Sequence, residues 1–402
     1  MASSSSALSL ALSLPPSRLC TPHRHQALQP SPVSFLTATT LSSVPAFSSL
    51  VLCRKRPQEA HLRSRQSAGD YAHYAPIDAL DSQTREEDGG REEEEQISRA
   101  TLIWRAVKLP IYTVALIPLS VGSSVSYFQT GIFHAGRYFV LLFASIFIIV
   151  WLNLSNDVFD SDTGVDKNKK ESVVNIVGSR DATLYAANVF LAAGLAGLIY
   201  ACVQGGDLRA IALLIGSIVC GYVYQCPPFR LSYKGLGEPL CFLAFGPLAT
   251  TAFYLSQGSK SEAIQLPLTV HIASASILVG LTTALILLCS HFHQVDEDRA
   301  VGKLSPLVRM GTNTGSVVVK ALVVTLYVVL SATVILKTLP LSCLFLCMLT
   351  LPIGRMVINY VEQNHSNKIK IFMAKYYCVR LHTLFGAALT AGLVVARKMV
   401  VI

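Results

Sequence analysis

The chain has 402 residues, of which 52% are hydrophobic and only 14% are charged. A soluble globular domain carries about 25% charged residues, so this composition argues against a soluble enzyme and for a membrane protein. The formal net charge of +9 does not indicate a nucleic-acid partner, because the basic residues lie near the chain start and in short loops. Ten cysteines without a Cys-x-x-Cys pair predict neither a disulfide framework nor a zinc site.

The first hundred residues divide into two segments by composition. Residues 1–65 are basic and rich in Ser and Ala, and Glu59 is their first acidic residue, which is typical of an organellar transit peptide. Residues 66–100 contain SQTREEDGGREEEEQ, a charge run without apolar periodicity, which predicts a disordered acidic linker. Residues 101–402 are then expected to form one polytopic membrane domain.

From residue 101 onwards, apolar runs alternate with short polar loops. The runs have about 17 to 25 residues, enough for each to cross the hydrocarbon core of a bilayer as a helix. The sequence therefore predicts an all-α integral membrane protein with about nine transmembrane helices. The expected spans are 103–126, 137–155, 182–203, 208–225, 238–256, 268–291, 316–336, 340–360 and 380–400.

The basic residues predict which side of the membrane each loop faces. With nine spans, the loops after spans two, four, six and eight lie on the same side as the N-terminus, and they hold most of the Lys and Arg residues. Basic residues are enriched on the side from which the chain is not translocated. These four loops are therefore expected on that side, which in a plastid is the stroma.

The loop after the second span begins with an acidic run, NDVFDSDTGVDKNKKE. If the helix continues into it, four polar side chains share one face. They are Asn153, Asn156, Asp157 and Asp160. Carboxylates this close repel one another by about 3 kcal/mol per pair at ~6 Å and an effective dielectric of 20. The following lysines or a Mg²⁺ ion shared with a substrate's phosphates would offset this repulsion, whereas an ordinary solvated loop is the simpler alternative.

A second acidic run, HFHQVDEDRAVGKLSPLVRMG, follows the sixth span. Its acids Asp296 and Asp298 are followed by Lys303 and Arg309. Four crossings separate the two runs, so both are expected on one side of the membrane. Two facing carboxylate clusters, each followed by cations, are what a diphosphate held through Mg²⁺ requires.

A third loop on the same side, YVYQCPPFRLSYKGLGEP, follows the fourth span. Arg230 or Lys234 is expected to reach the phosphates, and the faces of Tyr222 and Tyr224 are expected to line a site for a cationic intermediate. The alternative for the tyrosines is anchoring at the membrane interface.

These motifs resemble the UbiA superfamily of intramembrane aromatic prenyltransferases over residues 101–400. The superfamily's Asn-Asp-x-x-Asp motif corresponds to Asn156, Asp157 and Asp160, with Asp166 as the further acid. The resemblance also implies that the helices enclose a central cavity. Within the superfamily, DEDRAVGKLSPLVRMG is similar to the second motif of the 1,4-dihydroxy-2-naphthoate prenyltransferases, and HFHQV is similar to their plant and cyanobacterial branch, which makes phylloquinone.

One position departs from the superfamily pattern. The usual second motif has two aspartates four residues apart, and Gln294 stands at the first of these positions. Asp296 or Glu297 would then have to complete the metal contact, directly or through water.

The resemblance implies transfer of a phytyl group from phytyl diphosphate to 1,4-dihydroxy-2-naphthoate, with loss of CO₂ and diphosphate, in a chloroplast membrane (thylakoid or inner envelope). It implies catalytic roles for Asp157, Asp160 and Asp298. The Mg²⁺ ligands would come from Asn156, Asp157, Asp160, Asp166, Asp296 and Asp298. Substrate-binding roles are expected for Lys108, Asn153, Lys170, Arg180, Tyr222, Tyr224, Arg230, Lys234, His291, His293, Gln294, Lys303 and Arg309. The isoprenoid tail is expected to lie in an apolar channel open to membrane lipid.

Two alternatives remain open. Other plastid members of the same superfamily use homogentisate or chlorophyllide as the acceptor. From a different class, a polytopic transporter would place ionisable residues near the bilayer midplane, whereas here the mid-span positions are nearly free of charge. The sequence leaves the oligomeric state undetermined.

Overall fold

The computed structural model of the protein describes residues 109–164, 172–258 and 266–401. The predicted transit peptide and acidic linker lie outside the described residues, as do Lys108, Asp166 and Lys170. Within the described ranges the chain is mostly helical and forms no β-strand. The expected all-α class is therefore confirmed.

Ten helices form the main architecture of the described ranges. In chain order they are α1 (Thr113–Thr130), α2 (Ala135–Thr163), α3 (Arg180–Gly205), α4 (Leu208–Gln225), α5 (Gly237–Leu255), α6 (Val270–His291), α7 (Pro306–Ile335), α8 (Leu341–Met348), α9 (Leu351–Asn364) and α10 (Ala374–Val401). Short helical segments join them, at Leu109–Tyr112, Val173–Val177, Leu231–Lys234, Phe292–Gln294, Val295–Ala300 and Lys368–Ile371.

The number of membrane spans differs slightly from the expected nine. In the part of the chain that the structure describes, seven helices are long and apolar enough to cross a bilayer, and α8 with α9 makes an eighth if this pair, bent by 46°, is one span. The first predicted span, 103–126, overlaps α1, which is rich in serine and is not among these seven helices. The start of that predicted span lies outside the described residues. Nine is therefore an approximate count.

The core lies where α1, α6 and α10 pack together. In its most apolar stretch α6 is 78% buried, whereas α4 is only 22% buried. The central helix is therefore α6, and α4 has the exposed apolar surface of a lipid-facing helix. The second acidic run therefore directly follows the most buried of the long helices.

Helices α5 and α6 approach each other unusually closely. A Cβ atom at Gly246 would lie 2.6 Å from the backbone oxygen of Ser276 and 2.8 Å from Cα of Gly280. Small residues allow membrane helices to bring their backbones together in this way. Gly246 lies in a π-helical stretch of α5, Ala244–Thr250, which contains Pro247. Such stretches are frequent next to functional sites.

Helix continues into the described start of each acidic run, where the sequence placed loops. Helix α2 continues two turns beyond the predicted end of the span and stops at Gly164, which has the left-handed φ of 81°. Asn153, Asn156 and Asp157 therefore lie on a rigid helix. The second run forms the short helix Val295–Ala300, which follows α6 after one 3₁₀ turn.

Candidate active site

A cavity of about 320 Å³ opens between the helices. Apolar side chains of α2, α4, α5 and α6 form much of its wall. Nine of the residues predicted for the site line it as well. They are Asn153, Asn156, Asp157, Asp160, Tyr224, His291, His293, Gln294 and Lys303. The cavity thus combines the apolar wall of a lipid-like ligand site with polar groups from both acidic runs.

The first acidic run is anchored at the cavity wall. Asp157 is only 1% exposed, and its Oδ2 accepts a hydrogen bond from the Val173 amide at 2.9 Å. Asn153 lines the same wall, one turn earlier on α2. The Oδ1 atom of Asn156 is buried without a hydrogen-bond partner in the described ranges. An acceptor left in this state has its capacity available for a ligand.

Tyr233 connects the two acidic runs. Its hydroxyl lies 2.8 Å from Oγ1 of Thr163 and 3.5 Å from Oδ1 of Asp160, the second contact being a weak one. On its other side, the Nζ atom of Lys303 lies 5.7 Å from the centre of the Tyr233 ring. Burial raises the pKa of Tyr233 to about 12, so the phenol stays neutral beside the acids.

The second acidic run contributes one buried ion pair. Asp298 is fully buried, and Nζ of Lys303 lies 3.0 Å from its Oδ1. The contact lacks the angles of a hydrogen bond, and neither carboxylate oxygen accepts one from another residue that the structure describes. Asp298 does not line the cavity, but its partner Lys303 does. The two acidic runs, far apart in sequence, therefore converge through Lys303 and Tyr233.

The other acids of the second run point elsewhere. Asp296 has 76% of its side chain exposed and lies 3.9 Å from Arg299, outside the cavity lining. Glu297 forms an ion pair with Lys368. Neither Asp296 nor Glu297 therefore lines the cavity. Gln294, which stands where the superfamily motif has its first aspartate, does line it.

Two of the predicted cations, Arg180 and Arg309, bind other protein groups and lie outside the cavity lining. Arg180 makes two hydrogen bonds to the carboxylate of Asp162, at 2.7 and 2.8 Å. Arg309 donates to the carbonyl oxygens of Leu304 and Lys234, at 3.1 and 2.9 Å. It thereby joins the loops after α4 and α6.

The remaining predicted residues that the structure describes lie in the last turn of α4 and in the loop that follows it. The Arg230 guanidinium lies 5.8 Å from the centre of the Tyr233 ring. Lys234 is exposed. The Tyr222 hydroxyl donates to the carbonyl of Pro227 at 3.4 Å. None of these three residues lines the cavity.

Two histidines of the second run have different surroundings. His291 is 3% exposed, and its Nδ1 lies 2.9 Å from Oε1 of Glu238. The ring of His293 packs edge-on against Phe372, with the ring centres 5.0 Å apart. Both histidines line the cavity.

Sequence reasoning missed several residues of the site. Glu238 is the single acid of the loop after the fourth span, and no motif singles it out. Phe372 lies just before α10, and Lys375 and Tyr376 lie in its first turn. All three line the cavity, with Nζ of Lys375 at 3.7 Å from the centre of the Phe372 ring. The available signal was a basic, aromatic-rich loop on the same predicted side as the acidic runs.

The donor atoms suit a hard divalent cation. No group of three Asp, Glu, His or Cys side chains stands ready to hold a metal in residues 109–164, 172–258 and 266–401, and Asp166 lies outside these ranges. However, Oδ1 of Asn156 and both carboxylate oxygens of Asp298 are buried without hydrogen bonds from the described residues. Mg²⁺ prefers oxygen donors of this kind and commonly shares them with phosphates and water. The residues present therefore fit such an ion.

The sequence matches the UbiA prenyltransferase family over residues 115–379. This range contains both acidic runs and nearly all of the cavity lining, and it is more than half of the chain. The chain therefore belongs to the UbiA prenyltransferase family, and the resemblance drawn from the motifs is confirmed.

Individual proteins are also similar to this chain. The chain is 62% identical over 305 residues to the chloroplastic 2-carboxy-1,4-naphthoquinone phytyltransferase of Arabidopsis thaliana, covering 76% of this chain and 80% of that protein. It is 43% identical over 287 residues to the 2-carboxy-1,4-naphthoquinone phytyltransferase of Synechocystis sp., covering 71% and 91%. A solved UbiA homolog from Archaeoglobus fulgidus, bound to DMAPP and Mg²⁺, matches with a TM-score of 0.46 and 14% identity over 71% of this chain and 98% of that one.

Proposed function

We propose that the protein transfers the phytyl group of phytyl diphosphate to 1,4-dihydroxy-2-naphthoate, with release of CO₂ and diphosphate. One observation carries this proposal: both acidic runs meet through Tyr233 and Lys303 at the wall of a cavity between apolar helices. A diphosphate head needs the acids and cations, and an isoprenoid tail needs the apolar wall. The names of the Arabidopsis thaliana and Synechocystis sp. relatives support the phytyl donor and the naphthalenoid acceptor.

The diphosphate end of the donor would bind where the two acidic runs meet, near Tyr233 and Lys303. Asn156, Asp157, Asp160 and Asp298 would hold Mg²⁺ there, with Asp166 as a further ligand. The bound ion would neutralise the charge that develops on the departing diphosphate. Lys303 adds a positive charge from the cavity wall. We retain Lys108, Lys170 and Arg180 as candidates for the same end.

The reaction is an electrophilic substitution on the acceptor ring. The allylic C–O bond of phytyl diphosphate breaks, and its electron pair leaves with the diphosphate. The ring carbon that bears the carboxylate donates an electron pair to the allylic carbon. The bond to the carboxylate then breaks, its electron pair returns to the ring, and CO₂ leaves. No oxidant is consumed, and the product is the phytylated naphthoquinol.

The cavity wall serves this chemistry in two ways. Its helices exclude water, which would otherwise capture the allylic cation. The Tyr224 ring, together with Phe245 and Phe372 on the lining, offers aromatic faces that stabilise a cation. Apolar lining such as Ile218 and Leu240 suits the phytyl tail.

The oxidation state of the acceptor follows from the same chemistry. Attack on an allylic cation requires an electron-rich ring, which the dihydroxy form provides. The names of the two relatives give the quinone form of the acceptor, while that of a Bacillus subtilis relative, 21% identical over 304 residues, gives 1,4-dihydroxy-2-naphthoate. We propose that the ring that reacts is the reduced one.

The proposed location is a plastid membrane, the thylakoid or the inner envelope. The helices are long and apolar enough for a multi-pass protein, and the Arabidopsis thaliana relative is named as chloroplastic. The loops that carry the acidic runs would face the stroma, because they hold most of the basic residues.

A membrane assay tests the proposal. Membranes that contain the protein are offered labelled phytyl diphosphate with dihydroxynaphthoate, homogentisate or chlorophyllide, under reducing conditions, before and after chelation. We expect product with dihydroxynaphthoate, loss of product on chelation, and recovery when Mg²⁺ is added back. Turnover that survives thorough chelation contradicts the metal assignment, and product from another acceptor alone contradicts the acceptor.

Substitution of the first acidic run tests the site itself. Asp157→Asn or Asp160→Asn is expected to reduce turnover below about a tenth of the wild-type rate, a loss of more than about 1.4 kcal/mol in transition-state stabilisation. The control is Asp207→Asn, outside the cavity lining, where the side chain caps α4 by accepting from the Arg209 amide at 2.9 Å. Asparagine keeps that cap, so this variant should retain activity. Equal losses in all three variants would contradict the assignment.

A further inference from the structure

A buried carboxylate–imidazole pair lies at the cavity wall, apart from the acidic runs. Glu238, at the start of α5, has its Oε1 2.9 Å from Nδ1 of His291, the last residue of α6. The side chains are 13% and 4% exposed. His291 makes no further hydrogen bond with the residues that the structure describes. A carboxylate on Nδ1 fixes the ring orientation and leaves Nε2 as the nitrogen available to a molecule in the cavity.

Three other titratable side chains on the lining already contact protein groups. Asp157 binds the Val173 amide, Lys303 lies against Asp298, and His293 packs on Phe372. His291 lines the cavity and has the buried Glu238 carboxylate behind its ring. Such a carboxylate stabilises the imidazolium that forms when the base takes a proton.

We propose that His291 is a catalytic base for the acceptor, and that Glu238 is its positioning residue. The inference rests on the proposed function, because it requires a dihydroxynaphthoate in the cavity. His291 would take the proton of the hydroxyl on the ring carbon next to the one that bears the carboxylate. That hydroxyl is ortho to the reacting carbon, so its ionisation directs electron density to that carbon.

The proton and electrons balance over two steps. As the allylic carbon bonds to the ring, the hydroxyl proton moves to Nε2 of His291, and the oxygen forms a C=O bond to the ring. The result is a β-keto carboxylate, in which the carboxylate carbon is attached next to a carbonyl. Loss of CO₂ returns its electron pair to the ring and converts the carbonyl to an oxyanion, which takes the proton back from His291. The base is regenerated, and no further reactant is needed.

Kinetics of two variants test the proposal, each with a matched control. His291→Gln is compared with His365→Gln, because His365 lies outside the cavity and is 3.2 Å from Oγ1 of Thr312. Glu238→Gln is compared with Glu362→Gln, which loses an exposed ion pair with Lys320. We expect kcat to fall about a hundredfold in His291→Gln, the lower end of what a lost general base costs. The affinity for phytyl diphosphate, measured on the same preparations, should stay unchanged and verifies that each variant is folded.

Three further readouts separate a base from a packing residue. Imidazole added to His291→Ala should restore part of the lost kcat. Glu238→Gln should lower kcat and leave KM for both substrates near the wild-type values, and Glu238→Asp should recover part of the loss because the carboxylate returns. A kcat in His291→Gln within about threefold of the His365→Gln control would overturn the proposal, since a base contributes far more. A loss confined to KM for the acceptor would overturn it as well, and would make His291 a binding residue. If the wild-type protein forms no product from dihydroxynaphthoate, the proposed function itself fails, and that result is distinct from both of these.

Discussion

Removal of the Lys303 charge is the sharpest test of how the two acidic runs are held together. Lys303 lies 3.0 Å from Asp298, which is fully buried, and its own side chain is only 7% exposed. In Lys303→Met the hydrophobic stem is kept, but the carboxylate remains in the interior without its cation. We expect the protein to be strongly destabilised, because a buried charge without a partner is costly.

The size of the effect follows from the geometry. Two unit charges at 3.0 Å attract by about 5.5 kcal/mol at an effective dielectric of 20. Part of that attraction is offset, because the variant no longer has to bury an ammonium group. Loss of one partner of a buried pair costs about 3 to 5 kcal/mol in free energy of unfolding. In the double variant Lys303→Met, Asp298→Asn, neither charge is buried alone, so we expect it to recover a large share of this loss.

Unfolding in increasing concentrations of SDS, starting from protein in mild detergent micelles, measures the effect. The control is Lys234→Met, at an exposed lysine in the neighbouring loop. A Lys303→Met variant as stable as this control would refute the buried pair. A double variant no more stable than Lys303→Met alone would refute the explanation by an isolated charge.

Three other substitutions probe separate parts of the site. Lys375→Met should raise KM for the acceptor about tenfold, because the ammonium lines the cavity and can bind the acceptor carboxylate; an equal rise in KM for phytyl diphosphate would contradict this. Gly246→Ala should lower the free energy of unfolding by about 1 to 3 kcal/mol, since its methyl group would lie 2.6 Å from a backbone oxygen of α6. Gly216→Ala, whose methyl group would meet only a leucine side chain at 3.6 Å, is the control. Tyr233→Phe should lower kcat about tenfold, because the hydroxyl contacts the acidic end of α2, and an unchanged kcat would contradict that role.

Local sequence patterns predicted most of the helices and part of the candidate site. Apolar runs located the long helices of the described ranges, and the prediction for α4, 208–225, coincides with Leu208–Gln225. Helix ends were less accurate, since α7 begins at Pro306 although its span was predicted from residue 316. The spacing of Asn153, Asn156 and Asp157 predicted one helix face, and these residues do share the cavity wall. The period of a helix relates such neighbours whatever surrounds them. The first span was harder, because its serines weaken the apolar signal.

Distant contacts were beyond the reach of these patterns. A charged residue in a loop can point toward the cavity or toward a neighbouring carbonyl, and the motif around it is the same in both cases. Arg309 thus binds backbone oxygens of two loops, and Asp296 is exposed, whereas Lys303 between them in sequence lies buried against Asp298. Whether such a side chain reaches the cavity or a carbonyl depends on how the flanking helices are rotated about their axes.

The sequence alone determined that this is a helical membrane protein whose acids and cations gather in loops predicted to share one side. Composition and period are properties of the local chain, and they respond to the bilayer rather than to particular neighbours. Only the tertiary structure decided that Glu238 meets His291, 53 residues later, and that Lys375 reaches the same cavity. Those contacts depend on how closely α5, α6 and α10 pack, which is set by side-chain shape along whole helices and leaves no short motif behind.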